Sequence, residues 1–220
     1  MVEAIEGEGQ ETNPNIKYLT TKTGERRTTK TDKNRFFFPK EYCEFEDALK
    51  PKQKFSVKFL FNTGARINEA LHVKVNDIDF SNNRLVLRVT KAKAVKHERI
   101  GRIRTIPISS QFSKYLKKYV NDNKLKSNDY LRILKNSALN QAYKKAGKKI
   151  QMKDWWNISS HTFRKTLETW LMALGVDALP LTAHIGHDIK TASQYYVSPD
   201  IFSWEEKTLM REILGDLYQR

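Results

Sequence analysis

The 220-residue sequence predicts an α+β fold, mostly α-helical, with helices around a small three-stranded antiparallel sheet. Three observations predict it. Apolar residues recur at helical spacing up to about residue 72 and again beyond residue 110. Between those blocks the period shortens to two, and turn residues break the run into short strands. At 39% hydrophobic and 11% aromatic, the chain has enough apolar surface for a real core.

Residues 1–35 read as a flexible basic arm or linker, because the run TTKTGERRTTKTDKNR has no apolar periodicity. From Phe36 the chain reads as folded. A first helix runs from Pro39 to about Leu49. A second starts near Pro51, presents Phe55, Phe59 and Leu60, and stops at Gly64. Ile67 to His72 opens a short new helix. Ile78-Asp79-Phe80, the turn Ser81-Asn82-Asn83, and RLVLRVT form strand, turn and strand. A basic loop from Lys91 to Gly101 leads into RIRTIPI, the third strand. Helices follow near 110–122 and 136–150, the latter with Leu139, Ala142, Tyr143 and Ala146 on one face. Three helical stretches, 160–174, 177–186 and 190–196, come after the Trp155-Trp156 pair, which reads as core or as a lid over the hairpin. Phe163 and Trp170 read as core. The last helix, Ser203 to Tyr218, opens with Ser203 and Glu206 in an S-x-x-E capping box. Its Leu209, Ile213 and Leu217 form one face, suited to packing in cis or on a neighbouring copy.

Charge narrows the partner. Lys plus Arg number 40 against 25 Asp plus Glu, a net charge of +15. Residues 84–104 hold eight basic residues and one acid, and residues 114–153 hold twelve and two. Residues 1–16 carry four Glu and no base. Such contrast favours a polyanion-binding face over an evenly solvated surface. No apolar run approaches a membrane span, and the acidic start lacks a signal-peptide layout. The single cysteine, Cys43, permits no internal disulfide and no cysteine-based zinc site, and makes a reducing interior the default compartment.

Three local patterns carry the chemistry: TGARINEAL (63–71), HTFRKT (161–166) and HIGHDIKTASQYY (184–196). Taken singly, each fits an ordinary structural role. In this order the chain resembles the tyrosine recombinase (phage integrase) family over roughly residues 36–200. That family's catalytic domain has T-G-x-R-x-x-E, then a hairpin lysine, then H-x-x-R, then Gly-His with a tyrosine about nine residues on. The matching residues are Arg66 with Glu69, Lys91, His161 with Arg164, Gly186-His187, and Tyr195 or Tyr196.

The resemblance implies a site-specific DNA recombinase or integrase, cleaving and rejoining strands through a covalent 3′-phosphotyrosine, with no cofactor, metal or ATP. Its catalytic domain would span 36–202, with 203–220 as a C-terminal helix exchanged between protomers. Double-stranded DNA is the implied partner, with self-assembly from dimer to tetramer on it, no membrane, and a cytoplasmic, nucleoid-associated location. Physical chemistry agrees with the residue types. Arginine forks stabilise charge building on phosphate oxygens. His161 and Arg164 share a helix face at i, i+3, so both can address one phosphate. In the implied mechanism Tyr195 attacks phosphorus, His161 takes its proton, Lys91 protonates the leaving 5′-oxygen, and His187 hydrogen-bonds the phosphate. Glu69 orients Arg66. Thr63 and Gly64 set the turn that aims Arg66, and His184 faces away from the site.

Two positions stay open. Strict counting from Gly-His gives Tyr196, whereas TASQY resembles family segments that end at the nucleophile and favours Tyr195. Adjacent tyrosines on a helix point about 100° apart, so one faces the phosphate. Lys93 is the second candidate for the general acid. The basic hairpin loop is long, with Arg104 13 positions after Lys91, and is expected to enter or flank a DNA groove. Family members usually carry a further N-terminal clamping domain, so the chain reads as a fragment, a truncated product or a minimal enzyme. The alternatives are a catalytically weak or inactive DNA-binding protein of the same fold, type IB topoisomerase-like strand relaxation, and a basic RNA-binding protein.

Overall fold

A computed structural model describes residues 17–20, 26–29, 35–88, 103–186 and 201–218. Lys91, Lys93, His187, Tyr195, Tyr196 and the helix expected over 190–196 lie outside these residues. Within the segment expected to be an arm, β1 (Lys17–Thr20) and β2 (Arg26–Thr29) pair antiparallel, with Lys17 opposite Thr29.

The body is built on α1 (Pro39–Asp47), α2 (Pro51–Thr63) and α6 (Ser160–Ala173). Both α1 and α2 begin with proline, whose missing N–H costs nothing at a helix start. Helix α2 is apolar round most of its circumference, which suits a helix surrounded by protein: Phe55, Val57, Phe59, Leu60 and Phe61 are all buried. Helix α6 packs against it and is buried from Thr162 to Leu171.

The run Phe36-Phe37-Phe38 is extended, so its side chains alternate. Phe36 and Phe38 meet Phe202, while Phe37 stacks on Phe163. Side chains of α6 hold the backbone of Phe37 on both sides. Its N–H donates to Thr166 Oγ1 at 3.0 Å, and its carbonyl accepts from Trp170 Nε1 at 2.8 Å. The packed body reaches back to Arg35, which is 5% exposed and ion-paired with Glu41 and Asp154.

After the short α3 (Ile67–Ala70), strands β3 (Ile78–Asp79), β4 (Arg84–Arg88) and β5 (Ile103–Pro107) form the antiparallel sheet in the order β3-β4-β5. Asp79 caps the intervening turn, accepting from the N–H groups of Ser81 and Asn82. Leu85 and Leu87 face inward, opposite Ile106 and Arg104 respectively.

Helices α4 (Ser110–Asp122) and α5 (Asn136–Lys149) fall where the sequence predicts them. Trp155 lies against α5, where Gly147 leaves room for it, and Lys148 sits over its ring; Trp156 is exposed. Helix α7 (Ala178–Ile185) ends at Gly186, and α8 (Trp204–Leu214) opens with the expected capping box of Ser203 and Glu206. Helix α8 packs on α1 and α6, shorter than the sequence suggests because Gly215 breaks it at a φ of +64°. Its buried residues are Met210 and Leu214, joined by Leu217 from the following turn, rather than a face centred on Leu209. Among the described residues no helix is long and apolar enough to cross a membrane.

Candidate active site

The site grows from the end of α2. Thr63 Oγ1 donates to the Phe59 carbonyl at 2.7 Å and accepts from the N–H of Ala65 at 3.2 Å, which steers the chain out of the helix. Gly64 follows in the left-handed region, φ +57°. A Cβ there would lie 2.8 Å from Ile185 Cδ1, so both conformation and space call for glycine. The turned Gly64 carbonyl accepts from Arg164 Nη1 at 2.7 Å. The first motif therefore grips the second across 100 residues.

Arg66 stands at the start of α3, whose third residue is Glu69. The Glu69 side chain is 1% exposed and fully engaged. Its Oε2 accepts from the Arg66 backbone N–H at 2.9 Å, and its Oε1 from Arg66 Nη1 at 2.9 Å. Arg104, on the inward face of β5, donates to both oxygens, at 2.9 and 2.8 Å. Glu69 thus orients Arg66 as the sequence predicts, and it also holds an arginine that the motifs do not include. Despite the cost of burial, these donors keep its carboxyl below the ordinary value. Arg66 Nη2 reaches the Gly186 carbonyl at 3.2 Å, and Arg104 Nε the His184 carbonyl at 3.1 Å. The end of α7 is anchored by the same two guanidinium groups.

Arg66, His161 and Arg164 come together. Arg164 is 2% exposed, and burial with repulsion from Arg66 and Arg104 brings its pKa down to about 9. Arg66 and Arg104 share the Glu69 carboxylate, while Arg164 bonds the Gly64 carbonyl and feels the charges of Glu69 and Glu168. The Arg66 side chain is 44% exposed, which leaves a cationic surface open to an anion. His161, one helical turn before Arg164, lies at the rim. Desolvation first, then the cations Arg164, Lys165 and Arg66, hold its imidazole below the ordinary 6.5, so it is neutral near pH 7 and able to accept a proton. His184 points into the protein: its Nδ1 lies 3.0 Å from the Tyr218 hydroxyl.

A sequence profile of the phage integrase family matches residues 27–201. The chain belongs to that family. It is 32% identical over 145 residues to a tyrosine recombinase XerA of Saccharolobus solfataricus, a match covering 66% of this chain and 45% of that one. The fold resembles the crystal structure of XerA recombinase, with a TM-score of 0.60 at 18% identity, covering 84% of this chain and 65% of that one. It also resembles the Tn1549 transposon integrase solved in complex with transposon right-end DNA, with a TM-score of 0.61 at 17% identity, covering 83% and 66%. This integrase-family chain spans about half the length of the curated relatives it matches. Arg104 is the site residue that sequence reasoning missed. Its signal was faint but present: in RIRTIPI, alternation puts Arg104 on the same face as the buried Ile106, and an inward arginine needs a carboxylate.

Proposed function

We propose that this chain is the catalytic part of a site-specific DNA recombinase or integrase. It would break and rejoin DNA strands through a 3′-phosphotyrosine, without metal or ATP. The observation that supports this best is the cluster of Arg66, Arg104 and Arg164, with Arg66 exposed outward, beside a neutral His161. That arrangement suits a phosphodiester whose non-bridging oxygens gain charge in the transition state.

In this reading Arg66 and Arg164 hold the phosphate, with His187 hydrogen-bonding it. The Tyr195 oxygen attacks phosphorus while His161 takes the phenolic proton. The bond to the 5′-oxygen breaks, and Lys91 protonates that oxygen. One phosphodiester replaces another, so the reverse reaction rejoins the strand without an energy source. The basic residues of 84–104 and 114–153 would follow the backbone of double-stranded DNA around that phosphate. Assembly from dimer to tetramer would take place on DNA, with residues 203–220 as the exchanged element.

The test is covalent capture. The chain is incubated with a pool of duplexes of randomised sequence, nicked so that the cleaved end diffuses away, and run on denaturing gels. A shifted adduct that disappears with Tyr195→Phe and persists with Tyr196→Phe is the expected result. The opposite pattern would move the nucleophile to Tyr196, and no adduct with any duplex would sink the recombinase reading. Relaxation of supercoiled plasmid by the lone chain would favour topoisomerase-like action. Light scattering should find a monomer without DNA, and a DNA-free tetramer would refute assembly on DNA.

A further inference from the structure

We infer that Arg104 is a positioning residue that sets Arg66 and the Gly186 turn at the end of α7 together. The inference rests on the recombinase reading for the reaction it serves, and on contacts within this chain for the geometry. Arg104 commits three of its five N–H groups inward: two to Glu69 and one to the His184 carbonyl. Its side chain is 12% exposed against 44% for Arg66, so the two arginines divide the work. Arg104 faces the protein and Arg66 faces out.

The consequence for Arg66 is geometric. Glu69 has two carboxylate oxygens, and Arg104 occupies one lone-pair direction on each. Arg66 can then take a single bond to Oε1, and its second Nη turns to the Gly186 carbonyl. Without Arg104, the Glu69 carboxylate is free to accept both Arg66 nitrogens side by side. That two-pronged pairing is the stronger one, and it would draw Arg66 inward, away from an incoming phosphate. The consequence for the turn is a matter of space. Gly186 has φ +77°, and a Cβ on it would sit 3.0 Å from Arg104 Nη1. Arg104 thus fills the hollow under the turn that precedes His187. Standing on β5, it ties the Arg66–Glu69 segment to the end of α7.

Three variants test this: Arg104→Met, Arg104→Lys and the double variant Glu69→Gln with Arg104→Met. Each is first checked for cooperative unfolding. The rate of covalent adduct formation is then measured at saturating nicked duplex, alongside the Kd for that duplex. Arg104→Met should slow cleavage by about 100-fold, the scale of a small misplacement of a reacting group, with Kd changed less than about threefold. Arg104→Lys keeps the charge but loses the fork, and should recover only part of the rate. The double variant should be no slower than Arg104→Met, because the inward pull needs the carboxylate. A Kd that weakens as much as the rate falls would overturn the inference, as would full activity in Arg104→Lys. If the wild type forms no adduct, the recombinase reading fails and the positioning is read separately. The Arg66 Nε–Hε NMR signal, assigned through Arg66→Lys, should shift in Arg104→Met, and an unmoved signal would overturn it.

Discussion

Acid should destabilise this protein through His184. The ring is 2% exposed, and desolvation first, then repulsion from Arg104 and Arg164, bring its pKa to about 3 from an ordinary 6.5. The Thr63 backbone opposes this without outweighing it, and Nε2 makes no hydrogen bond in its buried position. The folded protein therefore keeps His184 neutral down to about pH 3, whereas the unfolded chain takes up a proton near 6.5. Unfolded molecules then bind more protons, so stability is present above 6.5 and is lost as pH falls through the window between those values. From pH 7 to pH 5 the shift contributes about 1.5 pK units, or about 2 kcal/mol. For a chain of this size that is roughly 4–8 °C in Tm. The assay is urea unfolding at pH 7, 6 and 5 on wild type and His184→Asn. Asparagine can still reach Tyr218 in place of Nδ1, but it does not titrate. The wild type should lose about 2 kcal/mol more than the variant across that range. Parallel profiles, differing by less than about 0.5 kcal/mol, would refute the claim that His184 is held neutral.

Two further outcomes follow from the packing. Gly64→Ala should cost about 1–2 kcal/mol for a left-handed alanine, plus displacement of Ile185, and it should slow adduct formation because the Gly64 carbonyl anchors Arg164; unchanged urea midpoint and rate would refute this. Trp170→Phe should cost about 1–3 kcal/mol by leaving the Phe37 carbonyl unpaired in the core, measured by urea unfolding, and a neutral substitution would show that the 2.8 Å bond is not stabilising.

The sequence was most informative where one residue decides the backbone. Pro39 and Pro51 open helices, Gly64 closes one, and Ser203 with Glu206 caps another. Arg66, Glu69, His161 and Arg164 were legible because motif spacing is local. Packing partners far apart in sequence were not. The pairing of Glu69 with Arg104 spans 35 residues, and Arg104 sits in a segment crowded with other basic residues. The buried face of α8 was ambiguous for a different reason. Leu209 with Ile213 and Met210 with Leu214 both satisfy i, i+4, and only the neighbouring α1 and α6 select the second pair. The shorter helix followed from Gly215, whose break brings Leu217 back to the core from a turn.

The crowding around Glu69 also limits what this chain can accept at position 69. One carboxylate caps α3, steers Arg66 and receives both prongs of Arg104. Aspartate, a methylene shorter, cannot span those donors from the same backbone. A change at position 69 alone would leave the Arg66 N–H and both prongs of Arg104 without their shared acceptor. The three motifs, read as separate landmarks along the chain, are joined by two arginines, Arg164 to the Gly64 carbonyl and Arg66 to the Gly186 carbonyl.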